Sequence, residues 1–177
     1  MDCRKCRWLK TASCPIIYNV DEQSSPDVVY CHRFEEGKMF IIEKTFKIPM
    51  GHRLSKHKGL CQNFHGHNFV IKVEVCSKTL DGNDMVIDFS ELKRIVNRIL
   101  ENFDHCMLLN DKDPMKSEFC KGYRVQIFPG DPTAEMLCQY FFDRISSEVK
   151  VLLGTEVKLV SVSIWENDDS MAKYVPD

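Results

Sequence analysis

The chain has 177 residues, of which 44% are hydrophobic and 28% are charged, and its formal net charge is −2. This composition predicts one globular domain with a sizeable core, while the small net charge disfavours nucleic acid or a membrane surface as a partner and favours a small-molecule substrate. Because no apolar run is long enough to span a bilayer and the N-terminal residues do not match a signal peptide, we predict a cytoplasmic protein.

Residues 1–38 show no sustained hydrophobic periodicity, and we predict that they form an N-terminal extension. The nine cysteines of the chain are irregularly spaced, which in a reducing compartment indicates free thiols or metal ligands rather than disulfides. Cys3 and Cys6 have the spacing of a zinc-binding pair, but no second pair at matching spacing follows. We therefore favour a loosely ordered extension over a structural metal site.

Three segments have the pattern of β-strands. Residues 39–48 (MFIIEKTFKI) have a strand-like mix of apolar side chains, and residues 69–76 (FVIKVEVC) alternate apolar with charged positions. Residues 157–166 (VKLVSVSIWE) alternate in the same way and predict a strand that closes the chain. The segment between the first two strands, residues 47–68, contains all three histidines that are candidate metal ligands.

Two helices are also predicted. A turn at LDGND precedes MVIDFSELKRIVNRILENF, which we interpret as a short strand leading into the first helix, with Asp88 and Glu91 at capping-box spacing. A long polar connection follows at residues 110–132, and the second helix runs from about 133 to 150. We therefore predict an α+β domain over residues 39–177, with an antiparallel sheet that carries two helices on one face.

The three histidines suggest a metal site. His65 and His67 are two positions apart, so on an extended segment their side chains share a face. His52, at the end of the preceding strand, can supply a third ligand from the adjacent strand. Three histidines with an open fourth position are typical of a catalytic zinc site, and we favour metal binding over three unrelated histidines.

Four further residues bear on this site. Cys61 is either a fourth ligand, which would make the site closed and structural, or a thiolate near the metal that acts as base or nucleophile. Asp104 and His105 are adjacent, and a carboxylate beside an imidazole can orient it for proton transfer. Glu166 ends the predicted last strand, where a carboxylate can accept two N–H bonds from a ring. Taken alone, the Asp–His pair and Glu166 would be interpreted as polar surface.

Together these segments resemble the 6-pyruvoyltetrahydropterin synthase and 6-carboxytetrahydropterin synthase family. The resemblance extends from about Phe40 to Tyr174 and rests on GHRL, CQNFHGHNF, MVIDFSELK, FDHCMLLND, DPTAEML and SIWEN, in the family's order. It implies the small tunnelling fold, with antiparallel strands and two helices. It also implies that the sheets join across subunits into a barrel, commonly in a homohexamer, with active sites at subunit interfaces.

The resemblance also implies residue roles. It places zinc on His52, His65 and His67 and leaves Cys61 as the catalytic thiol, with Asp104 and His105 in the proton-transfer group. Its remaining assignments are Glu166 as the anchor of the pterin ring and Thr133 and Glu135 as lining of the pocket. The chain departs from the pattern after Glu166, where the threonine often found in the family is missing, and in residues 1–38, which receive no role.

The implied substrate is 7,8-dihydroneopterin triphosphate. The short spacing between Cys61 and His65, together with DFSELK and PTAE, resembles the carboxy branch. That branch forms 6-carboxy-5,6,7,8-tetrahydropterin with loss of acetaldehyde and triphosphate, on the route to queuosine and related deazapurines. One alternative is the pyruvoyl branch, which eliminates triphosphate on the tetrahydrobiopterin route. The other is a catalytically silent member that keeps zinc and binds a pterin or a protein.

Overall fold

The structure is a computed structural model that describes residues 39–176, so the predicted extension with Cys3 and Cys6 lies outside the described residues. The elements are β1 (Phe40–His52), β2 (His65–Ser77), α1 (Phe89–Leu100), β3 (Cys106–Asn110), α2 (Lys116–Phe119), β4 (Val125–Phe128), α3 (Ala134–Leu153), β5 (Lys158–Trp165) and β6 (Met171–Tyr174). The strands form one sheet in the order β4-β3-β1-β2-β5-β6. Within the described part of the chain, no helix is long and apolar enough to cross a membrane.

The sheet is mixed rather than wholly antiparallel, which corrects the prediction. Each neighbouring pair in the series β1, β2, β5 and β6 is antiparallel. In contrast, β3 runs parallel to β1, and β4 runs parallel to β3. Parallel neighbours require a crossover connection. β1 reaches β3 through β2 and α1, and β3 reaches β4 through the segment that contains α2. The predicted α+β class with two long helices is confirmed.

Several predicted elements differ in detail. Residues 85–88 form no strand, and the chain enters α1 directly after the side chain of Asp88 accepts a hydrogen bond from the Ser90 amide at 2.6 Å. Glu91 does not close a capping box, because its carboxylate pairs with Arg94. The polar connection contains α2 and β4, and β5 is followed by one more strand, β6.

The hydrophobic core lies between one face of the sheet and the two long helices. Successive side chains of a strand point to opposite faces, and the core-facing positions of β1 and β2 are buried: Phe46, Ile48, Met50, Phe69, Ile71, Val73 and Val75. α1 and α3 cover them with Leu92, Ile95, Val96, Leu137, Phe141 and Ile145. Burial of each such large side chain contributes about 1.5–3 kcal/mol. The same face continues into the three histidines at the ends of β1 and β2.

Candidate metal centre and active site

The three predicted metal ligands lie together where the β1–β2 hairpin opens. The strands extend further than expected, so that β1 ends at His52, β2 begins at His65, and only residues 53–64 form the connecting loop. His52 pairs directly with His65 in the register, and His67 pairs with Met50. Residues opposite each other in an antiparallel pair share a face. One ring nitrogen from each of the three histidines therefore lies within 4.8 Å of the others.

Backbone carbonyl groups orient two of the imidazole rings. Nδ1 of His52 lies 2.9 Å from the carbonyl oxygen of Pro132, and Nδ1 of His65 lies 2.9 Å from that of Asn63. A carbonyl oxygen only accepts, so Nδ1 carries the proton in both rings and Nε2 keeps its lone pair. This is the arrangement in which a metal-binding histidine donates its other N–H to a backbone acceptor.

Two ring nitrogens of the cluster have no partner. Nε2 of His52 and Nε2 of His67 are buried and make no hydrogen bond in the described structure. A buried polar atom without a partner costs about 1–3 kcal/mol. A metal ion among the three rings would satisfy both nitrogens at once, and three neutral imidazoles suit zinc. The residues present therefore fit a bound zinc ion.

Burial keeps the central histidine neutral. His52 is 1% exposed, and its burial lowers the pKa of the imidazole, although the Pro132 hydrogen bond and the Glu166 charge act in the opposite direction. The ring of Phe69, itself fully buried, lies edge-on to His52 and His67 at 5.5 and 5.2 Å between centroids. The neutral imidazole is the form that binds a metal. The apolar surroundings of His52 and His67 therefore favour the protonation state that a metal ligand needs.

Gly66 allows the two histidines on either side of it to approach β1. A Cβ built on Gly66 would lie 2.9 Å from the carbonyl oxygen of Met50, which is a backbone atom of the paired strand. Real Cβ atoms do not come so close, and the strand pair would have to separate. Close packing of the two strands therefore explains the glycine between His65 and His67, whether or not a ligand is bound.

Cys61 lies in a 3₁₀ turn, Leu60–Gln62, within the loop between the strands, and it is half-buried. Its carbonyl oxygen accepts the Leu54 amide at 2.9 Å, which closes the loop on itself. Among residues 39–176, the group of converging ligand atoms contains the three imidazoles and does not include the Cys61 thiol. This geometry favours a thiol that is not a metal ligand over a fourth ligand.

Arg53, which follows His52 directly, is held by the protein. Its guanidinium forms an ion pair with the fully buried carboxylate of Asp113, and its Nε donates to the Gln62 carbonyl at 2.6 Å. The group also lies 5.5 Å from the ring centroid of Phe64. These contacts give Arg53 a structural role at the base of the loop.

Glu166 borders the histidine cluster. It follows the last residue of β5, is 26% exposed, and its Oε1 lies 3.8 Å from Nε2 of His52. Thr133 caps α3 by accepting the Met136 amide at 3.4 Å, and Glu135 is exposed in the first turn of that helix. The hydroxyl of Thr133 is thus engaged in the fold, whereas both carboxylates are open to a ligand.

The Asp104–His105 pair is formed and is exposed to solvent. Nδ1 of His105 is 2.9 Å from the Asp104 carboxylate, and the side chains are 78% and 49% exposed, respectively. His105 has a φ of 52°, and its amide donates to the Pro49 carbonyl at 2.9 Å. Within the described residues, no hydrogen bond joins this pair to Cys61 or to the cluster. His105 lines a cavity of about 480 Å³ together with Gly51, Gly66 and His67.

Sequence reasoning missed two residues at the site. It assigned the DPTAEML segment to the pocket through Thr133 and Glu135. The structure adds Pro132, whose carbonyl oxygen contacts His52, and Asp131, whose carboxylate contacts Ser55 in the neighbouring loop. A backbone carbonyl leaves no signal in the residue type. For Asp131, the only available signal was an acidic residue just before a helix cap, which is common in proteins without such a role.

Comparison with known proteins gives the same family as the resemblance noted in the sequence. A family model described as 6-pyruvoyl tetrahydropterin synthase matches residues 41–177. A protein of Aquifex aeolicus (strain VF5) named 6-carboxy-5,6,7,8-tetrahydropterin synthase is 36% identical over 75% of this chain and 96% of its own length. A protein of the same name from Haemophilus influenzae is 32% identical over 77% of this chain and 99% of its own length.

Solved structures share the fold. An uncharacterized protein from Wolinella succinogenes superposes with a TM-score of 0.68 at 23% identity and covers 79% of this chain and 99% of its own. The 6-pyruvoyl tetrahydropterin synthase of Caenorhabditis elegans gives a TM-score of 0.57 at 24% identity, with 79% and 97% covered. At these identities the likeness shows a common fold and leaves the chemistry to the site residues.

Proposed function

The chain belongs to the 6-pyruvoyl tetrahydropterin synthase family, and from this premise we propose that it is a zinc-dependent 6-carboxytetrahydropterin synthase. It is a lyase-type enzyme with the tunnelling fold, and its family acts on pterins. The proposed reaction converts 7,8-dihydroneopterin triphosphate to 6-carboxy-5,6,7,8-tetrahydropterin, with loss of acetaldehyde and triphosphate. The route to queuosine is the proposed pathway, and the cytoplasm stays the predicted location.

One observation carries the proposal: three imidazoles converge while two of their buried nitrogens lack partners. The cluster supports zinc on His52, His65 and His67. Bound there, zinc would supply a Lewis acid that polarises a substrate hydroxyl. The Cys61 thiol is not among the converging ligand atoms, which supports a zinc site that would keep an open coordination position for the substrate.

Cys61, Asp104 and His105 are proposed to move protons. In the structure Nδ1 of His105 donates to the Asp104 carboxylate, which leaves Nε2 to accept or release a proton. This pair is exposed, and no hydrogen bond within the described residues joins it to the histidine cluster. We propose that active sites are shared between subunits, with the exposed pair serving the thiol and metal of a neighbouring copy, and that the assembly is a homohexamer.

Glu166 is proposed to bind the pterin ring. The Glu166 carboxylate lies at the rim of the proposed metal site. A pterin ring bound to this carboxylate would place the side chain of the pterin near the zinc. An ionised carboxylate can accept two parallel N–H bonds from the ring edge. Thr133 and Glu135, at the start of α3, follow Pro132 and are proposed to line the same pocket.

The product distinguishes the two branches. The relatives from Aquifex and Haemophilus carry the carboxy name, which supports that branch over the pyruvoyl alternative. The test is incubation of the zinc-loaded protein with 7,8-dihydroneopterin triphosphate, followed by mass spectrometry of the pterin and an assay for acetaldehyde. A 6-carboxy product with acetaldehyde supports the proposal. A pyruvoyl product without acetaldehyde assigns the other branch, and unchanged substrate indicates a silent member.

A further inference from the structure

The carboxylate of Asp131 is the most heavily hydrogen-bonded side chain near the site. Its Oδ1 accepts the Ser55 amide at 3.0 Å, the Ser55 hydroxyl at 2.7 Å and the Asn110 side-chain amide at 2.7 Å. Its Oδ2 accepts the Lys56 amide at 2.8 Å. Partial burial opposes its ionisation, but the bonds from Ser55 and Asn110 outweigh this effect and hold the pKa of Asp131 below its ordinary value.

These bonds hold the middle of the loop that carries Cys61. The base of the loop is fixed by Arg53 and by the paired histidines. The turn at Ser55 and Lys56 lies beyond that base, and its amides donate to Asp131 across about 75 positions of sequence. Asn110, at the end of β3, also donates to the Ser55 hydroxyl at 3.3 Å. Asp131 therefore joins the loop to the end of β3.

The next residue contacts the metal site itself. The carbonyl oxygen of Pro132 accepts a hydrogen bond from Nδ1 of His52. Two adjacent residues thus make both contacts. Asp131 binds the loop with the proposed catalytic thiol, and Pro132 binds His52, the most deeply buried imidazole of the cluster. A proline at this position also limits backbone freedom, because its φ is fixed near −65°.

We propose that Asp131 is a positioning residue, which sets the loop with Cys61 against the three histidines. This inference rests on the proposed function. Asp131 would act through hydrogen-bond geometry rather than through its charge, because Oδ1 alone accepts three of the four bonds. An asparagine can keep its carbonyl oxygen at that place and lose only the bond from the Lys56 amide. An alanine loses all four.

The experiment compares Asp131→Ala with Asp131→Asn. A misplacement of about 1 Å in reacting groups can cost on the order of 100-fold in rate, so we expect Asp131→Ala to lower kcat by about 10–100-fold with KM nearly unchanged. Asp131→Asn should stay within about threefold of the wild type. Asp81→Ala is the matched control, because Asp81 also organises a loop by accepting two amides, those of Asn83 and Met85.

Two further readouts separate positioning from stability. Hydrogen exchange of residues 57–64, which excludes the two amides that bind Asp131 directly, should become faster in Asp131→Ala and not in Asp131→Asn or Asp81→Ala. Zinc content should stay equal in all variants. If Asp131→Ala does not fold, Ser55→Ala replaces it, because that change removes only the hydroxyl bonds and should give a smaller loss of kcat together with faster exchange.

The outcomes are distinct. Wild-type turnover in Asp131→Ala, equal losses in the alanine and asparagine variants, or loss of zinc in proportion to activity would each overturn the proposal. Exchange is measured without substrate, so it is independent of the reaction. A wild-type protein that leaves the pterin unchanged, while Asp131→Ala still loosens residues 57–64, contradicts the proposed function and not the role of Asp131 in ordering the loop.

Discussion

The carbonyl oxygen of Pro132 accepts a hydrogen bond from Nδ1 of His52 at 2.9 Å, although the two residues are 80 positions apart in the chain. The bond fixes the tautomer of the most deeply buried imidazole and turns its Nε2 toward the other two rings. The start of α3 thereby takes part in a site that otherwise belongs to the β1–β2 hairpin.

The first prediction concerns the metal ligands. His65→Ala removes one of three nitrogen ligands, and we expect zinc affinity to fall by at least about 100-fold, which is the upper end of what loss of an outer contact costs. Zinc content after dialysis, measured by atomic absorption, checks this. His57→Ala is the control, because His57 is exposed in the same loop and bonds only the Gly59 amide. Full zinc occupancy in His65→Ala would exclude the assigned ligand set.

The second prediction concerns the thiol. Cys61→Ala should retain zinc and the fold but lose turnover by about 10²–10⁴-fold, the range that a positioned proton-transfer group contributes. Steady-state kinetics together with metal analysis measure both effects. Cys120→Ala, at an exposed cysteine outside the loop, is the control and should behave as wild type. Loss of zinc along with Cys61 would show that the thiol is a fourth ligand.

The third prediction concerns the ring anchor. Glu166→Gln replaces one acceptor oxygen by a donor, and hydrogen bonds to a charged group contribute about 1.5–3 kcal/mol. We expect the dissociation constant for the pterin to rise at least about tenfold, which corresponds to about 1.4 kcal/mol, while zinc content stays constant. Calorimetry on the zinc-loaded variant measures this, with Glu156→Gln, an exposed glutamate beyond α3, as control. Unchanged affinity would move the anchor to Glu135.

The fourth prediction concerns the glycine between the two ligands of β2. Gly66→Ala would place a methyl group 2.9 Å from the Met50 carbonyl oxygen, and overpacking of this kind costs about 1–3 kcal/mol. Both the thermal midpoint and the zinc affinity should fall, since separation of the strands also moves the rings. Gly82→Ala, where no atom lies within 4 Å of the new methyl group, is the control. Wild-type stability and zinc affinity in Gly66→Ala would contradict the steric argument.

The fifth prediction concerns stability in acid. Hydrogen bonds from Lys173 and Ser161 lower the pKa of Glu74 below its ordinary value, against a smaller opposing effect of burial. Because the folded-state pKa is depressed, this contribution is present above the ordinary pKa of 4.5 and is lost as the pH falls through the folded value. Glu74→Gln should therefore destabilise the fold by about 1 kcal/mol at pH 7, with the pair partly exposed.

Denaturant unfolding of the wild type and of Glu74→Gln between pH 7 and pH 3 checks the sign. The difference between the two proteins should shrink as the pH is lowered. A difference that stays constant would assign the effect to packing, because a packing loss does not depend on the protonation of the carboxylate.

Local pattern was enough for the elements that face the core. A strand-like mix of apolar residues predicted β1. Alternation predicted β2 and β5, and helical periodicity predicted α1 and α3, because one-sided burial imposes the period of the element on the sequence. The His-x-His spacing likewise placed His65 and His67 on one face. The strands β3, β4 and β6 were missed, since they have only four or five residues and too few alternations to show a period.

The assembly of the site was decided by tertiary structure. The sequence contains a third histidine in the preceding strand, but only the register of the hairpin sets His52 directly opposite His65, and a slip of one residue would have turned the ring to the other face. The contacts of Pro132 with His52 and of Asp131 with the loop join residues far apart in the chain. Such bonds depend on where α3 docks against the sheet, and local side-chain patterns do not encode that position.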